Sequence, residues 1–455
     1  MIGHIKLFID IGKTNWLWFL IILVFVSTIS HPVQAQNPIG PRSFYMADPS
    51  AHVWKDGKLY IYGSRDESPN YFCSWGHDVA LTTDLKTWTI QQNVITSKGA
   101  GDQIPYSDER LFAPDCQYKN GLYYLYYCLS GKGDIEGVAT SPSPIGPFTN
   151  GTRIDLYGNN QIDPCVFMDD DGQAYYIWGQ FSVKVAKLKP NMKEIDPATI
   201  KSDIITEKQH FFHEGVYMVK RNGIYYLVYT DISRGGIPSC IGYSTARSPY
   251  GPFKYRGVII DNSHCDPGNW NDHGSLVEFK KRWYVVYHRA THNSYSMRRT
   301  CLEPIHFNAD GSINEVEMTT QGASAPLPAT DKLDAERACL LLGNVYIQGI
   351  AADNEVLDGI SNNDKVCYKY LDFTNKTDSV TIRVAPGKRP ARIEVALDHF
   401  WSPAIAIIDV PAATEEGGYQ SLTAKIASVS GIHALILRFY GQGENIFKVD
   451  WLEFE

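Results

Sequence analysis

The chain repeats a pattern in which a polar turn precedes a run of aromatic and aliphatic residues. The turn positions are Gly57, Gly121, Gly172, Gly223 and Lys281, and each following run is rich in Tyr, Ile, Leu and Val. Such runs after turn residues are typical of buried β-strands. The turns recur roughly every 50 to 65 residues, the period of a propeller blade made of four short strands. The pattern therefore predicts an all-β chain that begins with a five-bladed β-propeller.

Acidic residues recur at one fixed offset within this repeat. The positions nine residues before the turns are Asp48, Phe112, Asp163, Glu214 and Asp272, and His273 follows the last of them. Equivalent positions of successive blades are related by rotation about the propeller axis, so Asp48, Asp163 and Glu214 should converge at one mouth. Convergent carboxylates in a concave site can perform acid/base chemistry at a glycosidic bond. An acid alone could instead cap a turn, but the shared offset favours a site.

The pattern changes in the last third of the chain. Residues 323–333 are small and Pro-containing, which predicts a linker. The stretches that follow alternate apolar and polar residues, as in SVTIRVA from Ser379, ARIEVAL from Ala391, ALILRFYG from Ala434 and FKVDWLEF from Phe447. We therefore expect the propeller over residues 36–322 and a β-sandwich of the jelly-roll type over residues 334–455.

Composition narrows the classes of partner. The chain has 28 Tyr, 19 Phe and 10 Trp, and a formal net charge of −8. This charge and the lack of a basic run argue against nucleic acid and against anionic membrane surfaces. A neutral carbohydrate, in particular a plant cell-wall polysaccharide or oligosaccharide, is the compatible partner.

The N-terminus has the pattern of a targeting segment. Lys6 and Lys13 precede the apolar core WLWFLIILVFV, and Val33-Gln34-Ala35 ends in a small residue suited to cleavage. The apolar core is short for a spanning helix, so residues 1–35 are predicted to be a signal peptide. The mature chain would begin near Gln36, be exported to the periplasm or beyond, and have no membrane segment. The alternative is an uncleaved signal anchor.

The nine cysteines give no metal or disulfide pattern. Their number is odd and there is no C-x-x-C pair. Neither a zinc site nor a disulfide framework is indicated.

Three motifs together resemble glycoside hydrolase family 43. They are ADPS, IDPCVFMDDDG and HEGVYMVKRNGIYYLVYT, and the resemblance covers about residues 40–322. It implies a five-bladed propeller enzyme acting on arabinose- and xylose-containing polysaccharides. It also implies that Asp48 is the general base, that Asp163 tunes the pKa of the proton donor and orients it, and that Glu214 is the general acid. His273 matches the histidine near an axial metal, often calcium, and Phe112 stands where many members have Trp.

The last third resembles a family 6 carbohydrate-binding module. The matching stretches are LDAERA, NNDKVCYKYLDF, GGYQSLTAKIASVSGIHALILRFYG and NIFKVDWLEF. The resemblance maps structural calcium ligands onto Asp334, Glu336 and Asp450. Leu422 stands where many members have a sugar-stacking Trp, so a domain that only braces the propeller is the alternative to sugar binding.

Other residues are candidates for contact with the sugar. Phe112 and Trp75 could stack on it, although both could equally pack within blades. Arg289 could hydrogen-bond sugar hydroxyls or form an ordinary ion pair, and His273 could hold a metal or only orient a neighbour.

The sequence therefore predicts a secreted, inverting exo-glycoside hydrolase. Its expected action is the removal of arabinofuranosyl or xylosyl units from arabinoxylan, arabinan or xylan. The expected cofactor is structural calcium, with no organic cofactor. The alternatives are a non-catalytic carbohydrate-binding propeller and a retaining invertase-like propeller, whose characteristic motifs the chain lacks.

Overall fold

The computed structural model describes residues 29–31, 36–131, 136–266, 272–413 and 418–455. The predicted signal peptide lies outside these residues, except for the backbone of Ile29–His31, which pairs with an outer strand near Trp88. In the described residues, no helix has the length and apolar character needed to cross a bilayer.

The first five sheets are small and antiparallel, and they follow one another along the chain. The first contains β1 (Ile29–His31), β2 (Met46–Val53), β3 (Leu59–Arg65), β4 (Gly76–Thr82) and β5 (Trp88–Thr96). The second contains β6 (Leu111–Lys119), β7 (Leu122–Leu129), β8 (Glu136–Ser141) and β9 (Thr149–Arg153). The third contains β10 (Cys165–Met168), β11 (Ala174–Trp178) and β12 (Lys184–Lys187).

The fourth and fifth sheets complete the propeller. The fourth contains β13 (Tyr217–Arg221), β14 (Ile224–Asp231), β15 (Cys240–Ala246) and β16 (Lys254–Asp261). The fifth contains β17 (Gly274–Phe279), β18 (Arg282–Thr291) and β19 (Ser294–Ile305). A 3-10 turn (Pro197–Thr199) and a one-turn helix, α1 (Glu207–His210), connect the third sheet to the fourth.

The predicted turns connect the first two strands of each blade. Asn120-Gly121, Asn222-Gly223 and Lys280-Lys281 are two-residue hairpin loops with both residues at positive φ. This is the primed turn geometry that matches the twist of the flanking strands. Asn and Gly adopt it readily, whereas Lys281 does so at φ 65° despite its side chain.

The sheets close into a ring. The inner strands β2, β6, β10, β13 and β17 contact one another in succession, and β17 contacts β2. An apolar cluster lies between each pair of neighbouring blades. The N-terminal segment reinforces the closure, because Ile39 N donates to Thr300 O on β19 at 2.9 Å. The predicted five-bladed propeller is confirmed.

The rest of the chain is a sandwich of two sheets. One contains β20 (Leu327–Pro328), β22 (Leu340–Leu342), β25 (Lys365–Asp372), β27 (Ala391–Leu397), β28 (Ala406–Val410) and β30 (Ile432–Gly441). The other contains β21 (Leu333–Asp334), β23 (Tyr346–Ala351), β24 (Asn354–Asp358), β26 (Ser379–Pro386), β29 (Gln420–Lys425) and β31 (Phe447–Phe454). A 3-10 turn spans Ala335–Arg337. Their inner faces enclose one large apolar core, so the predicted β-sandwich is confirmed.

The segment predicted to be a linker is structured. Leu327 pairs with Leu371 of β25, and Leu333 pairs with Leu452 of β31. The chain therefore passes from propeller to sandwich while already hydrogen-bonded to the sandwich. We keep residues 36–322 and 334–455 as the proposed limits of the two domains.

Candidate functional site

The acids lie at or just before the starts of the inner strands, where the backbone is irregular. Asp48 and Asp163 have φ of 52° and 64°, and Gly215, next to Glu214, has 69°. In blade two, Ala113 at φ 41° lies beside Phe112 in a register shift of the same kind as that after Ala47. Positive φ in non-glycine residues is uncommon and clusters at functional sites. In these four blades the positive φ thus falls at the offset found in the sequence or one residue after it, and in blades one and two it accompanies a register shift of the strand pairing.

Asp48 is a buried carboxylate surrounded by donors. Arg298 Nη1 donates to its Oδ1 at 3.0 Å, and Ser64 Oγ donates to its Oδ2 at 2.7 Å. Burial by itself would raise the pKa of Asp48, but Arg298, with His273 and His288, holds that pKa below its usual range. This arrangement favours the ionised form of Asp48.

Asp163 and Glu214 are neighbours, and their surroundings favour the protonated form, in contrast to those of Asp48. The backbone N–H of Gly215 donates to Asp163 Oδ2 at 3.0 Å, and Gln180 Nε2 donates to Glu214 Oε2 at 2.9 Å. Burial raises the pKa of both carboxyl groups, and the charge of Glu214 raises that of Asp163 further. Because repulsion between two carboxylates is mutual, the pair retains a proton that Asp48 does not.

His273 connects the two parts of the site. Its Nδ1 lies 3.8 Å from Asp48 Oδ1. A Cβ added at Gly215 would lie 3.0 Å from His273 Cγ, so the imidazole also packs on the backbone beside Glu214. Burial lowers the pKa of His273, which favours the neutral ring. The structure thus brings together Asp48, Asp163 and Glu214, the three acids whose spacing predicted that they converge, and places His273, the candidate from the resemblance, beside them.

The predicted aromatic residues lie along one connected rim. The Arg110 guanidinium lies 6.0 Å from the centre of the half-buried Phe112 ring and 4.7 Å from that of Tyr71. Tyr71 meets Trp75 edge to face at 6.3 Å, and Trp75 Nε1 donates to Asp108 O at 2.8 Å. Phe112 joins the acids through the backbone, because the N–H of Ala113 donates to Ser64 Oγ at 2.8 Å.

Arg289 lies elsewhere, and its prediction as a sugar-binding residue is corrected. It is buried against the sandwich, where its Nη1 donates to Cys339 O at 3.3 Å. In the β18–β19 register Arg289 pairs with Arg299, so both project from the same face. Arg298 projects from the opposite face because successive residues of a strand alternate, and Arg298 is the arginine that reaches Asp48.

The site includes residues that sequence reasoning missed. They are Arg298, Asp66 (which accepts from Arg298 Nε at 2.9 Å), Ser64, His288, Gln180 and Phe181. The alternation along β19 distinguishes Arg298 from Arg299, but only the three-dimensional register tells which of the two faces the acids. Gln180 and Phe181 follow the third aromatic strand, where the sequence has no turn motif to mark them.

The predicted calcium ligands of the sandwich are already neutralised. Arg42 places Nη2 2.5 Å from Asp334 Oδ2 and Nε 2.5 Å from Glu336 Oε1. Asp450 pairs with Arg383 Nε at 3.2 Å. Glu336 Oε2 is buried without a hydrogen-bond partner, while the Arg42 guanidinium is bonded to the other oxygen of the same carboxylate.

In the described part of the chain, no three His, Cys, Asp or Glu side chains are arranged to hold a metal, those around His273 included. Asp334, Glu336 and Asp450 are paired with Arg42 and Arg383 and do not fit calcium in this arrangement, and no catalytic step is assigned to a metal.

Comparison with known proteins gives the family. The model for glycosyl hydrolases family 43 matches residues 35–313, and that for carbohydrate binding module family 6 matches residues 335–455. A xylosidase/arabinosidase of Thermoclostridium stercorarium is 28% identical, over 91% of this chain and 98% of the relative. An arabinoxylan arabinofuranohydrolase of Bacillus subtilis is also 28% identical, over 94% of each chain.

Solved structures agree with these matches. The crystal structure of a Bacillus subtilis arabinoxylan arabinofuranohydrolase with cellotetraose has a TM-score of 0.54 at 26% identity, covering 93% of this chain and 99% of that one. A β-xylosidase/α-arabinofuranosidase from a compost metagenome, solved with xylotriose in a calcium-free form, has a TM-score of 0.53 at 29% identity, covering 64% and 99%. The predicted glycosidase is confirmed over the non-catalytic alternative, and the chain belongs to glycosyl hydrolases family 43.

Proposed function

We propose that the chain is an exported, inverting exo-glycoside hydrolase that removes arabinofuranosyl or xylosyl units from arabinoxylan, arabinan or xylan. The observation that carries this proposal is that the site favours the ionised form of one carboxyl group and the protonated form of another. Arg298 keeps Asp48 ionised, while burial and mutual repulsion keep a proton on the Asp163–Glu214 pair. Carboxyl groups whose environments push their pKa values apart provide a base and an acid at the same pH.

Asp48 is the proposed general base. Its Oδ1 is held by Arg298 and its Oδ2 by Ser64, so the carboxylate has a fixed orientation. In an inverting reaction this carboxylate takes a proton from the water that attacks the anomeric carbon. Asp66 keeps Arg298 in place through bonds from Nε and Nη2, both at 2.9 Å.

Glu214 is the proposed general acid, which donates its proton to the leaving oxygen. Gln180 orients its carboxyl group, burial raises its pKa, and the repulsion it shares with Asp163 acts in the same direction. General acid–base assistance is worth about 10²- to 10⁴-fold in rate for each group. Loss of either group should therefore nearly abolish turnover.

The choice of sugar is supported by the relatives and by the rim. Three of the relatives are named for action on xylosides, arabinosides or arabinoxylan. The rim of Phe112, Tyr71 and Trp75 offers aromatic faces beside the acids. Phe181, half exposed and in edge contact with His213, offers another such face on the side of Glu214.

The test compares residues 36–455 with the Glu214→Gln variant on nitrophenyl α-L-arabinofuranoside and nitrophenyl β-D-xyloside. We expect the parent to cleave one or both substrates, and the variant to lose about 10²-fold or more. Dinitrophenyl glycosides, whose leaving group needs no proton, should lose less. Proton NMR of the first-formed sugar should show inverted anomeric configuration.

Asp170→Asn, at an exposed hairpin tip, is the matched control and should keep full activity. Equal loss on both leaving groups would contradict the role of Glu214 as acid, and a retained configuration would contradict inversion. Expression of the full coding sequence, followed by mass measurement of the secreted protein, tests export through the predicted start at Gln36.

A further inference from the structure

The sandwich presents one tryptophan almost completely to solvent. Trp401 is 79% exposed, more than any other large hydrophobic side chain described. It lies in the loop between β27 and β28, which ends where Ile405 N donates to Val395 O at 2.8 Å. Large apolar side chains on a folded surface commonly mark interaction sites when they are held in place.

The Trp401 loop is fixed by a buried arginine. Arg438 of β30 donates from Nη1 to Phe400 O at 3.0 Å and to Ser402 O at 2.9 Å, one on each side of Trp401. Its Nη2 pairs with Glu394 Oε2 at 2.9 Å. Because this charge is balanced within the sandwich, the loop has no unpaired buried charge that would require an ionic ligand.

The loop is also fixed at its start. Asp398 accepts from the N–H of Ala434 at 3.2 Å and pairs with His433 Nδ1 at 2.9 Å. Phe400 packs against a small apolar cluster on the outer face of the sheet, formed by Cys367, Ala396, Ala434 and Ile436. The exposed indole is thus presented by a preorganised turn, which lowers the entropic cost of binding.

Only one face of the indole is free. The His399 imidazole stacks parallel to it, with ring centres 4.9 Å apart and an interplanar angle of 2°. The remaining surface is a flat apolar area about the size of one sugar ring. A stable protein partner would need roughly 1,000 Å² or more of complementary surface, which one ring does not provide.

We propose that Trp401, backed by His399, is a stacking platform for a pyranose ring of a polysaccharide chain. The flat C–H face of the sugar would cover the free indole face. The side chain of Ser402, on the same turn, is a hydrogen-bonding group available to sugar hydroxyls. This platform belongs to the sandwich and is separate from the acids of the propeller. It rests on the proposed function only for the choice of polymer, a β-linked xylan with or without arabinose branches.

The test uses affinity electrophoresis of the full mature chain, in a Glu214→Gln background so that the polymer stays intact. Gels contain soluble arabinoxylan or unbranched xylan. Trp401→Ala should weaken retardation at least about fivefold, and Trp401→Phe should keep most of it, because one aromatic stack is worth about this much. Ile407→Ala, another exposed apolar residue of the sandwich, is the matched control and should not change retardation.

Two further measurements make the result specific. Trp401→Ala with Glu214 intact should cleave nitrophenyl glycosides like the parent, since these small substrates need only the propeller. Unchanged retardation of Trp401→Ala would overturn the proposal. The proposal would also be overturned if the parent eluted as a dimer and Trp401→Ala as a monomer on gel filtration, because a second copy of the chain would then cover Trp401. If no nitrophenyl glycoside is cleaved by any variant, the proposed catalytic function fails while the binding comparison still decides the role of Trp401.

Discussion

At the scale of single residues, chemically similar side chains acquire different roles from their neighbours. Asp48 and Asp163 are both buried at left-handed φ and at the same repeat offset. Asp48 has a guanidinium at 3.0 Å and remains ionised, whereas Asp163 has a carboxyl neighbour and a raised pKa. The identity and spacing of the acids were predictable from the sequence. Their protonation states depend on Arg298 and on mutual distances that no local pattern encodes.

Asp163→Asn should move the alkaline limb of the kcat/KM profile to lower pH. The substitution removes the anion that shares a proton with Glu214, so the pKa of Glu214 falls and its acid form is lost earlier as pH rises. A pH series on a nitrophenyl glycoside measures this shift. An alkaline limb at the parent's position would show that Asp163 does not tune the proton donor.

At the scale of elements, hairpins and blades follow the sequence closely, but connecting loops do not. The third blade ends with β12, and the next segment contributes only isolated bridges such as Val185 with Lys201. The preceding loop gives Gln180 and Phe181 to the site, and Phe181 adopts φ 60°. Its N–H donates to His213 O at 2.7 Å, which ties the loop to the segment carrying Glu214. This pairing connects two blades, so the sequence of either blade alone does not reveal it.

Gln180→Ala should shift the same alkaline limb in the opposite direction. The amide of Gln180 donates to Glu214 Oε2 and stabilises its charged form, so removing that bond raises the pKa of Glu214. The acid form then persists to higher pH. Maximal kcat should fall as well, because the carboxyl group loses an orienting partner.

The pH series that compares Gln180→Ala with Asp163→Asn provides an internal control. Both variants remove a neighbour of Glu214. Asp163 disfavours the charged form of Glu214 and Gln180 favours it, so the two variants should shift the alkaline limb in opposite directions. Shifts in the same direction would show that general loosening of the site, not these interactions, sets the limb.

At the scale of the whole molecule, propeller and sandwich are joined by buried ion pairs. Arg299 Nη1 of β19 lies 3.0 Å from Glu355 Oε2 of β24, and Tyr45 donates to Glu355 Oε1 at 3.0 Å. Arg42 bridges to Asp334 and Glu336 in the same way. The composition of the connecting segment predicted two domains on a linker. The long-range pairs instead make the interface part of the folded unit.

Glu355→Gln should destabilise the chain by about 3–5 kcal/mol at neutral pH, because Arg299 would stay buried without a countercharge. Burial raises the pKa of Glu355, but Arg299, with His292 and Tyr45, lowers it to about 2. A folded pKa below the unfolded value of about 4.3 gives stability that is present above that value and is lost as pH falls toward 2. The difference between parent and variant should therefore narrow in acid.

Thermal unfolding of residues 36–455 at several pH values measures this difference. Glu453→Gln, a half-buried acid on β31, is the matched control and should unfold close to the parent. A constant difference between parent and Glu355→Gln across the acid range would contradict an ionic origin.

The sequence by itself determined the repeat, the strands and the acids, because turn chemistry and strand periodicity are local properties of the chain. It also determined the family, since the motifs around Asp48, Asp163 and Glu214 are contiguous. The tertiary structure alone decided that Arg298, and not Arg289, serves the acids, because that choice depends on the face that β19 turns toward the axis. It likewise decided that Arg42 neutralises Asp334 and Glu336, and that Trp401 is held in solvent by Arg438. Each of these relations joins residues far apart in the chain, and only the packed fold sets their distances.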